Sequence, residues 1–231
     1  MKPTVLHTGP LNVNTLIVPL YGNKVFIVDP AACSFSGDET LITRYLSERG
    51  LDVAALILTH GHFDHVAGLP LLCKCFPAAP LAIHAADAEL LGAKSELVQG
   101  KDLRSMGFAA FIPSVSNLPE PTAFLEDGKT LAECLPQLAA ANEALREALS
   151  DWQLLHTPGH TKGSCCLHNA REKLLLTGDT LFYRSWGRTD LHGGNEVQLH
   201  KSLARIAKIA SDDTLIYPGH EHYGFAAAEN F

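Results

Sequence analysis

Thr59-His60-Gly61-His62-Phe63-Asp64-His65 places three imidazoles and a carboxylate within six positions, directly after the aliphatic run Ala54-Ala55-Leu56-Ile57-Leu58. A short, continuous apolar run of this kind reads as a buried strand. The cluster therefore falls where a strand ends and a loop opens, the usual place for ligands in layered α/β proteins. Imidazole is the commonest protein ligand for zinc-like metals, and carboxylate supplies the oxygen beside it. With His and Asp each present 12 times in 231 residues, chance would produce His-x-His-x-Asp-His in roughly one chain in 700. A loop that is histidine-rich by accident is a poor account of it.

Working outward, Val5 to Thr8, Thr15 to Leu20 and Lys24 to Asp29 read as strands, with a hairpin turn at Tyr21-Gly22-Asn23. Asp38 or Ser36 is placed to cap a helix over Glu39 to Arg49, which Gly50 stops. After the histidine cluster come a helix from Gly68-Leu69-Pro70 to about Phe76, a strand at Leu81 to Ile83 and a short helix at Ala85 to Leu91. Regular structure resumes with strands at Trp152 to His156, Ser164 to His168, Lys173 to Thr177 and Asp213 to Tyr217. A helix over Asn195 to Ile209 has Val197, Leu199, Leu203, Ile206 and Ile209 facing inward. Strands with intervening helices imply a sheet covered by helices on its outer face.

Residues 93–150 are less regular, punctuated by Pro113, Pro119, Pro121 and Pro136 around an apolar patch of Met106, Phe108, Phe111 and Ile112. Leu138, Ala141, Leu145 and Leu149 suit one face of a helix there. The expectation is one domain over residues 1–231, with this segment an insert that forms a lid, a dimer contact or an extra helical layer.

Three further strands end on potential ligands. His160, Asp179 and His220 each follow a glycine, twice within Pro-Gly-His. Glycine lets the backbone turn sharply and approach a crowded centre. Seven ligands, His60, His62, Asp64, His65, His160, Asp179 and His220, are too many for one tetrahedral ion and suit two. The natural partition gives His60, His62 and His160 to one metal and Asp64, His65 and His220 to the other, with Asp179 bridging. Two divalent cations, zinc foremost and iron or manganese also suited, would bring a bridging water to hydroxide at neutral pH for attack on a carbonyl. Asp64 and Asp179 would position that hydroxide.

Composition sets outer bounds. Hydrophobic content of 46% with 19% charged residues is ordinary for a globular enzyme. A net charge of −7 with scattered Lys and Arg excludes a basic stripe for nucleic acid. No apolar run suits a signal peptide or a membrane span, and six irregularly spaced cysteines read as reduced, mostly buried thiols, so a cytoplasmic protein acting on a small molecule is expected.

The motifs Thr59 to His65, Thr157-Pro158-Gly159-His160, Thr177-Gly178-Asp179 and Pro218-Gly219-His220 resemble the metallo-β-lactamase superfamily, in its order, over residues 5–220. The resemblance implies a four-layer αββα sandwich with the metals at one edge. Gly178-Asp179-Thr180-Leu181-Phe182 and Gly187-Arg188-Thr189-Asp190-Leu191 are similar to the glyoxalase II-like hydrolases, which cleave hydroxyacylglutathione thioesters. A thiol leaves readily as thiolate, so such a reaction needs no strong general acid. Two other activities are compatible with the same residues: a mononuclear iron persulfide dioxygenase using His60, His160 and Asp179, and a lactonase. Glyoxalase II also carries a C-terminal helical region that binds glutathione, whereas 11 residues follow His220 here. Lys162, Tyr183, Arg184 and Tyr223 are the candidate substrate contacts, being near ligand turns. Arg188 and Asp190 are expected to form an ion pair that organises their loop, and the chain to act as a monomer or homodimer.

Overall fold

In the computed structural model, which describes residues 2–231, the apolar runs pair into two sheets. The first has six strands in spatial order β1 (Thr4–Thr8), β2 (Val13–Pro19), β3 (Lys24–Val28), β4 (Asp52–Ile57), β5 (Leu81–His84) and β6 (Ala123–Leu125). β1 to β3 form an antiparallel meander, and β3 to β6 run parallel because helices return the chain between them. The second sheet contains β7 (Gln153–His156), β8 (Cys165–Asn169), β9 (Leu174–Gly178), β12 (Leu215–Pro218) and β13 (Phe225–Ala226), in the order β13-β12-β9-β8-β7. A small hairpin, β10 (Leu181–Phe182) with β11 (Ser185–Trp186), follows the Asp179 turn.

Alternation within the strands sends side chains into three apolar layers. Leu16, Val18, Phe26 and Val28 of the first sheet meet Leu154, Leu167, Leu174 and Leu176 of the second. Ile17, Val25, Ile27 and Leu56 face outward onto helix α1 (Leu41–Glu48) through Ile42 and Leu46, and onto the short helices α2 (Phe63–Val66) and α3 (Leu69–Cys75). Leu155, Cys166, Leu175 and Ile216 face the other way, onto Ile206. The pairing between β3 and β4 slips after Val25, so that Ala54 and Ala55 both lie toward the inter-sheet layer. The result is an αββα sandwich.

The segment 93–150 divides between two layers. Its first part, helix α4 (Ser95–Ser105) and the 3₁₀ turn Ala109–Val115, covers the outer face of the first sheet with Leu103, Phe111, Ile112 and Val115. Phe111 packs edge-on against Phe63, beside the histidine cluster. Its second part contributes β6 and then α5 (Leu131–Cys134), α6 (Pro136–Ala139) and α7 (Glu143–Ser150), whose Leu131, Leu135, Leu145 and Leu149 fill the inter-sheet core with Trp152.

Four local expectations are corrected. The helix expected through Leu138, Ala141, Leu145 and Leu149 is two helices, because Asn142 is extended and its side chain accepts from the Leu145 N–H, starting α7 afresh. Asp38 caps no helix; its carboxylate accepts from the backbone N–H groups of Gly9 and Cys33 and pins the loop. Ala85–Leu90 is 3₁₀ rather than α. Val197 is 66% exposed at the start of the last helix, α8 (Glu196–Ile209), whose buried positions are Leu199, Ser202 and Ile206. All six cysteines are unpaired, four of them buried, and burial pushes the Cys166 thiol up to about 11.

Candidate metal centre

The ligand-bearing turns of both sheets lie at one edge of the sandwich. β4 ends at Ile57 and hands the chain to His60 and His62, after which the single turn α2 carries Asp64 and His65. His160 follows β7, Asp179 follows β9 and His220 follows β12. At Gly178 the chain turns with φ +48, and a Cβ there would lie 2.2 Å from Thr59 Oγ1, so the Asp179 turn seats directly on the first ligand loop.

Two triads result. One nitrogen each of His60, His62 and His160 lie within 4.8 Å of one another, as do one ligand atom each of Asp64, His65 and His220. Within the first triad His62 Nδ1 is 2.8 Å from His160 Nε2; within the second, His65 Nε2 is 3.2 Å from His220 Nε2, which is 3.3 Å from Asp64 Oδ2. Asp179 spans both: Oδ2 lies 3.6 Å from His160 Nε2 and 3.5 Å from His220 Nε2, and Oδ1 lies 3.4 Å from His65 Nε2.

The outer partners decide which nitrogens face inward. His160 Nδ1 donates to the carbonyl of Arg188 (2.7 Å), His220 Nδ1 to the carbonyl of Leu11 (3.1 Å) and His65 Nδ1 to Asp29 Oδ2 (3.0 Å). All three acceptors lack a proton, so each ring presents an Nε2 lone pair to the centre. His60 Nε2, His62 Nε2 and Asp179 Oδ1 are buried with no hydrogen-bond partner among the described residues. Unpaired buried polar atoms each cost about 1–3 kcal/mol, and convergent lone pairs are what a divalent cation satisfies.

The electrostatics agree. Burial, with the neighbouring His65 and His160, holds His60 well below the usual imidazole range. Burial and His160 bring His62 down to about 3. Both are therefore neutral, the form that binds metal. Burial would lower His65 too, but the carboxylates of Asp179, Asp64 and Asp29 hold it well above its ordinary value. Burial would raise Asp179, yet His65, His220 and His60 keep it well below the carboxylate range. The carboxylates of Asp29, Asp64 and Asp179 gathered beside the neutral rings of His60 and His62 make this a site for positive charge.

Asp29 is the functional residue that sequence reasoning missed. It lies next to His60 and His65, but its oxygens are taken. Oδ1 accepts from the Thr59 N–H (2.8 Å), and Oδ2 accepts from the Thr59 hydroxyl (2.6 Å) and from His65. It stands at the end of β3, a fifth strand end bearing Asp or His, and that position was the available signal.

The four expected substrate contacts are not brought to the centre. Lys162 pairs with Glu89 (3.3 Å). Tyr183 packs on His222 and Phe225, Arg184 sits over the Tyr183 ring, and Tyr223 stacks on Tyr217. A cleft of about 330 Å³ over the triads is instead walled by Leu11, Phe63, Met106, Phe182, Leu191 and Arg188. Arg188 forms a two-pronged pair with Asp190 at 2.7 Å, as expected, besides orienting His160.

The family model for the metallo-beta-lactamase superfamily matches residues 8–139 and 143–220. The chain belongs to the metallo-beta-lactamase superfamily. Its members are in general metal-dependent hydrolases, and the His/Asp cluster and the family together point to divalent metals. An uncharacterized protein of Aquifex aeolicus is 31% identical over 217 residues, covering 94% of this chain and 88% of that one. A hydroxyacylglutathione hydrolase of Chromohalobacter salexigens is 30% identical over 201 residues, covering 87% of this chain and 58% of that one. The solved structure of TTHA1623 in a di-iron-bound form superposes with a TM-score of 0.75 at 27% identity, covering 99% of this chain and 96% of that one. No helix among the described residues is long and apolar enough to cross a membrane.

In this superfamily member, Asp29→Ala leaves the Thr59 donors and His65 Nδ1–H buried without an acceptor. Chelator competition is expected to show metal affinity about 10–100-fold weaker. A denaturant melt of the variant should lie about 3–5 kcal/mol below the parent. Unchanged affinity would remove Asp29 from the centre.

Proposed function

We propose that the chain is a dinuclear metal-dependent hydrolase that cleaves a thioester of the hydroxyacylglutathione type. The observation that carries the reading is the pair of complete triads with Asp179 reaching both. His60, His62 and His160 would hold one cation and Asp64, His65 and His220 the other, with Asp179 shared. Two divalent cations supply Lewis acidity toward the carbonyl oxygen and hydroxide at neutral pH.

The chain's own residues do the rest. Asp64 and Asp179 would accept hydrogen bonds from the nucleophile and so orient it. Leu11, Phe63, Met106, Phe182 and Leu191 exclude water from the reacting carbonyl, which strengthens every charge interaction inside. Apart from the proposed ligands, the only titratable side chains in the cleft wall among the described residues are Arg188 and Glu221. That wall offers no histidine, lysine or tyrosine free to protonate a leaving group, which suits a thiolate and disfavours an amide or simple ester. The relationship to a hydroxyacylglutathione hydrolase supports the same bond type; a persulfide dioxygenase with a single iron carries the same second triad, so the number of ions bound separates the two readings. Zinc is proposed first, with the di-iron relative supporting iron as the alternative. Six unpaired thiols suit a cytoplasmic location.

The test is turnover of S-lactoylglutathione with bound metal quantified and His60→Ala as control. Two ions per chain and loss of turnover in His60→Ala are expected. Hydrolysis of a lactone but of no thioester would overturn the thioester reading. One iron per chain with oxygen uptake on a persulfide would overturn the dinuclear one.

A further inference from the structure

Asp87 is a buried carboxylate outside the set described so far, 1% exposed and in no ion pair among the described residues. It sits in the 3₁₀ turn after β5, and all three of its partners donate. Oδ2 accepts from the Gly61 N–H (3.0 Å) and the Thr161 hydroxyl (2.7 Å), and Oδ1 accepts from the Gly163 N–H (2.6 Å). Burial pushes its carboxyl up, and the bonds from Thr161, Gly163 and Gly61 oppose that. A buried charge without a counter-ion is expensive, and its retention needs a reason beyond packing.

The partners supply the reason. Gly61 lies between His60 and His62 on the first sheet's loop, and Thr161 and Gly163 lie just after His160 on the second sheet's loop. One carboxylate thus ties together two loops 74 and 76 residues apart from it and 26 residues apart from it on the other side. The seat is close-fitting, since a Cβ on Gly163 would lie 2.7 Å from Asp87 Cγ. The other triad is held differently, through Asp29 on His65 and the Leu11 carbonyl on His220.

We propose that Asp87 is a positioning residue that sets the spacing of His60 and His62 against His160, and so controls one cation site without controlling the other. This rests on the two-cation reading of the cluster, and zinc uptake by the parent chain tests that reading separately. The role follows from hydrogen-bond polarity. Asparagine keeps the shape of Asp87 but turns an NH₂ group toward the N–H of either Gly163 or Gly61, so at least one of the three contacts becomes donor against donor and the tie between the loops loosens.

Zinc affinity measured by chelator competition in two backgrounds separates the possibilities. In His220→Ala, which retains His60, His62 and His160, adding Asp87→Asn is expected to weaken zinc by about 10–100-fold. In His160→Ala, which retains Asp64, His65 and His220, the same change should shift affinity by less than about threefold. Equal losses in the two backgrounds, or no loss in either, would overturn the proposal. A purely structural role would lower the melting temperature and leave zinc affinity unmoved. If far-UV circular dichroism shows that Asp87→Asn fails to fold, Thr161→Val removes one of the three contacts. It should weaken zinc in the His220→Ala background alone, and unchanged affinity there would count against Asp87.

Discussion

Asp179→Asn is expected to lower turnover by about 10³-fold or more, the loss of several kcal/mol of charge stabilisation between two cations. Asp179 brings its oxygens within 3.6 Å of nitrogens of both triads, His160 on one side and His65 and His220 on the other. Asparagine keeps the length and one oxygen but removes the negative charge and the second acceptor. Without that charge the two cations repel across the gap, so elemental analysis should find close to one ion per chain rather than two. The fold should survive, because Asp179 lies on a turn at the sheet edge and the layers packed by Leu174, Leu175 and Leu176 are untouched. A variant that retained two ions and near-parental turnover would remove Asp179 from the bridging position.

Gly219→Ala should also lower turnover, by about 10²-fold, from a single methyl group. A Cβ at this position would stand 2.3 Å from Asp179 Oδ1 and 2.7 Å from His65 Cε1, inside contact distance of two proposed ligands at once. Relief requires either Asp179 to swing out or the His220 turn to move away. The turn is held by Gly219 N–H on the Gly178 carbonyl (2.8 Å), by Asn14 N–H on the Gly219 carbonyl (2.7 Å) and by the Asn14 side-chain amide on the Pro218 and Glu221 carbonyls. The carboxylate is the softer element and should yield. A displacement near 1 Å at a reacting centre costs about 10²-fold, and metal content should fall with it. Far-UV circular dichroism should be unchanged. Full activity with both ions bound would mean that the turn relaxes freely.

Much of the centre was legible in the sequence because its parts are local. His60, His62, Asp64 and His65 come from one stretch, and His160, Asp179 and His220 each follow a glycine at the end of an apolar run. Strands covered by helices were legible because strand alternation and helical spacing are short-range patterns, whereas the αββα layering was implied only by the resemblance of the motifs to the metallo-β-lactamase superfamily. The short strands β6, β10, β11 and β13 were not legible, being two or three residues long and formed by pairing rather than by any run of their own. The substrate wall was not legible either. Proximity in sequence suggested Lys162, Tyr183, Arg184 and Tyr223, but strand-end geometry turns those side chains onto Glu89, Phe225 and Tyr217. Leu11, between β1 and β2, and Met106, just after α4, line the cleft although they lie 95 residues apart in the chain.

By itself, then, the sequence determined the chemistry of this protein: a cluster of imidazoles and carboxylates at strand ends, in numbers suited to two cations. Tertiary structure alone decided how those groups are oriented. His65 is aimed by Asp29 from 36 residues away, His220 by a carbonyl 209 residues away, and the first triad by Asp87 across 74 residues. Ligand identity is carried by side-chain type and short spacing, whereas the lone pair these rings present depends on a partner brought in by the fold: for His65 a carboxylate from the neighbouring strand of its own sheet, for His220 a carbonyl from the opposite sheet.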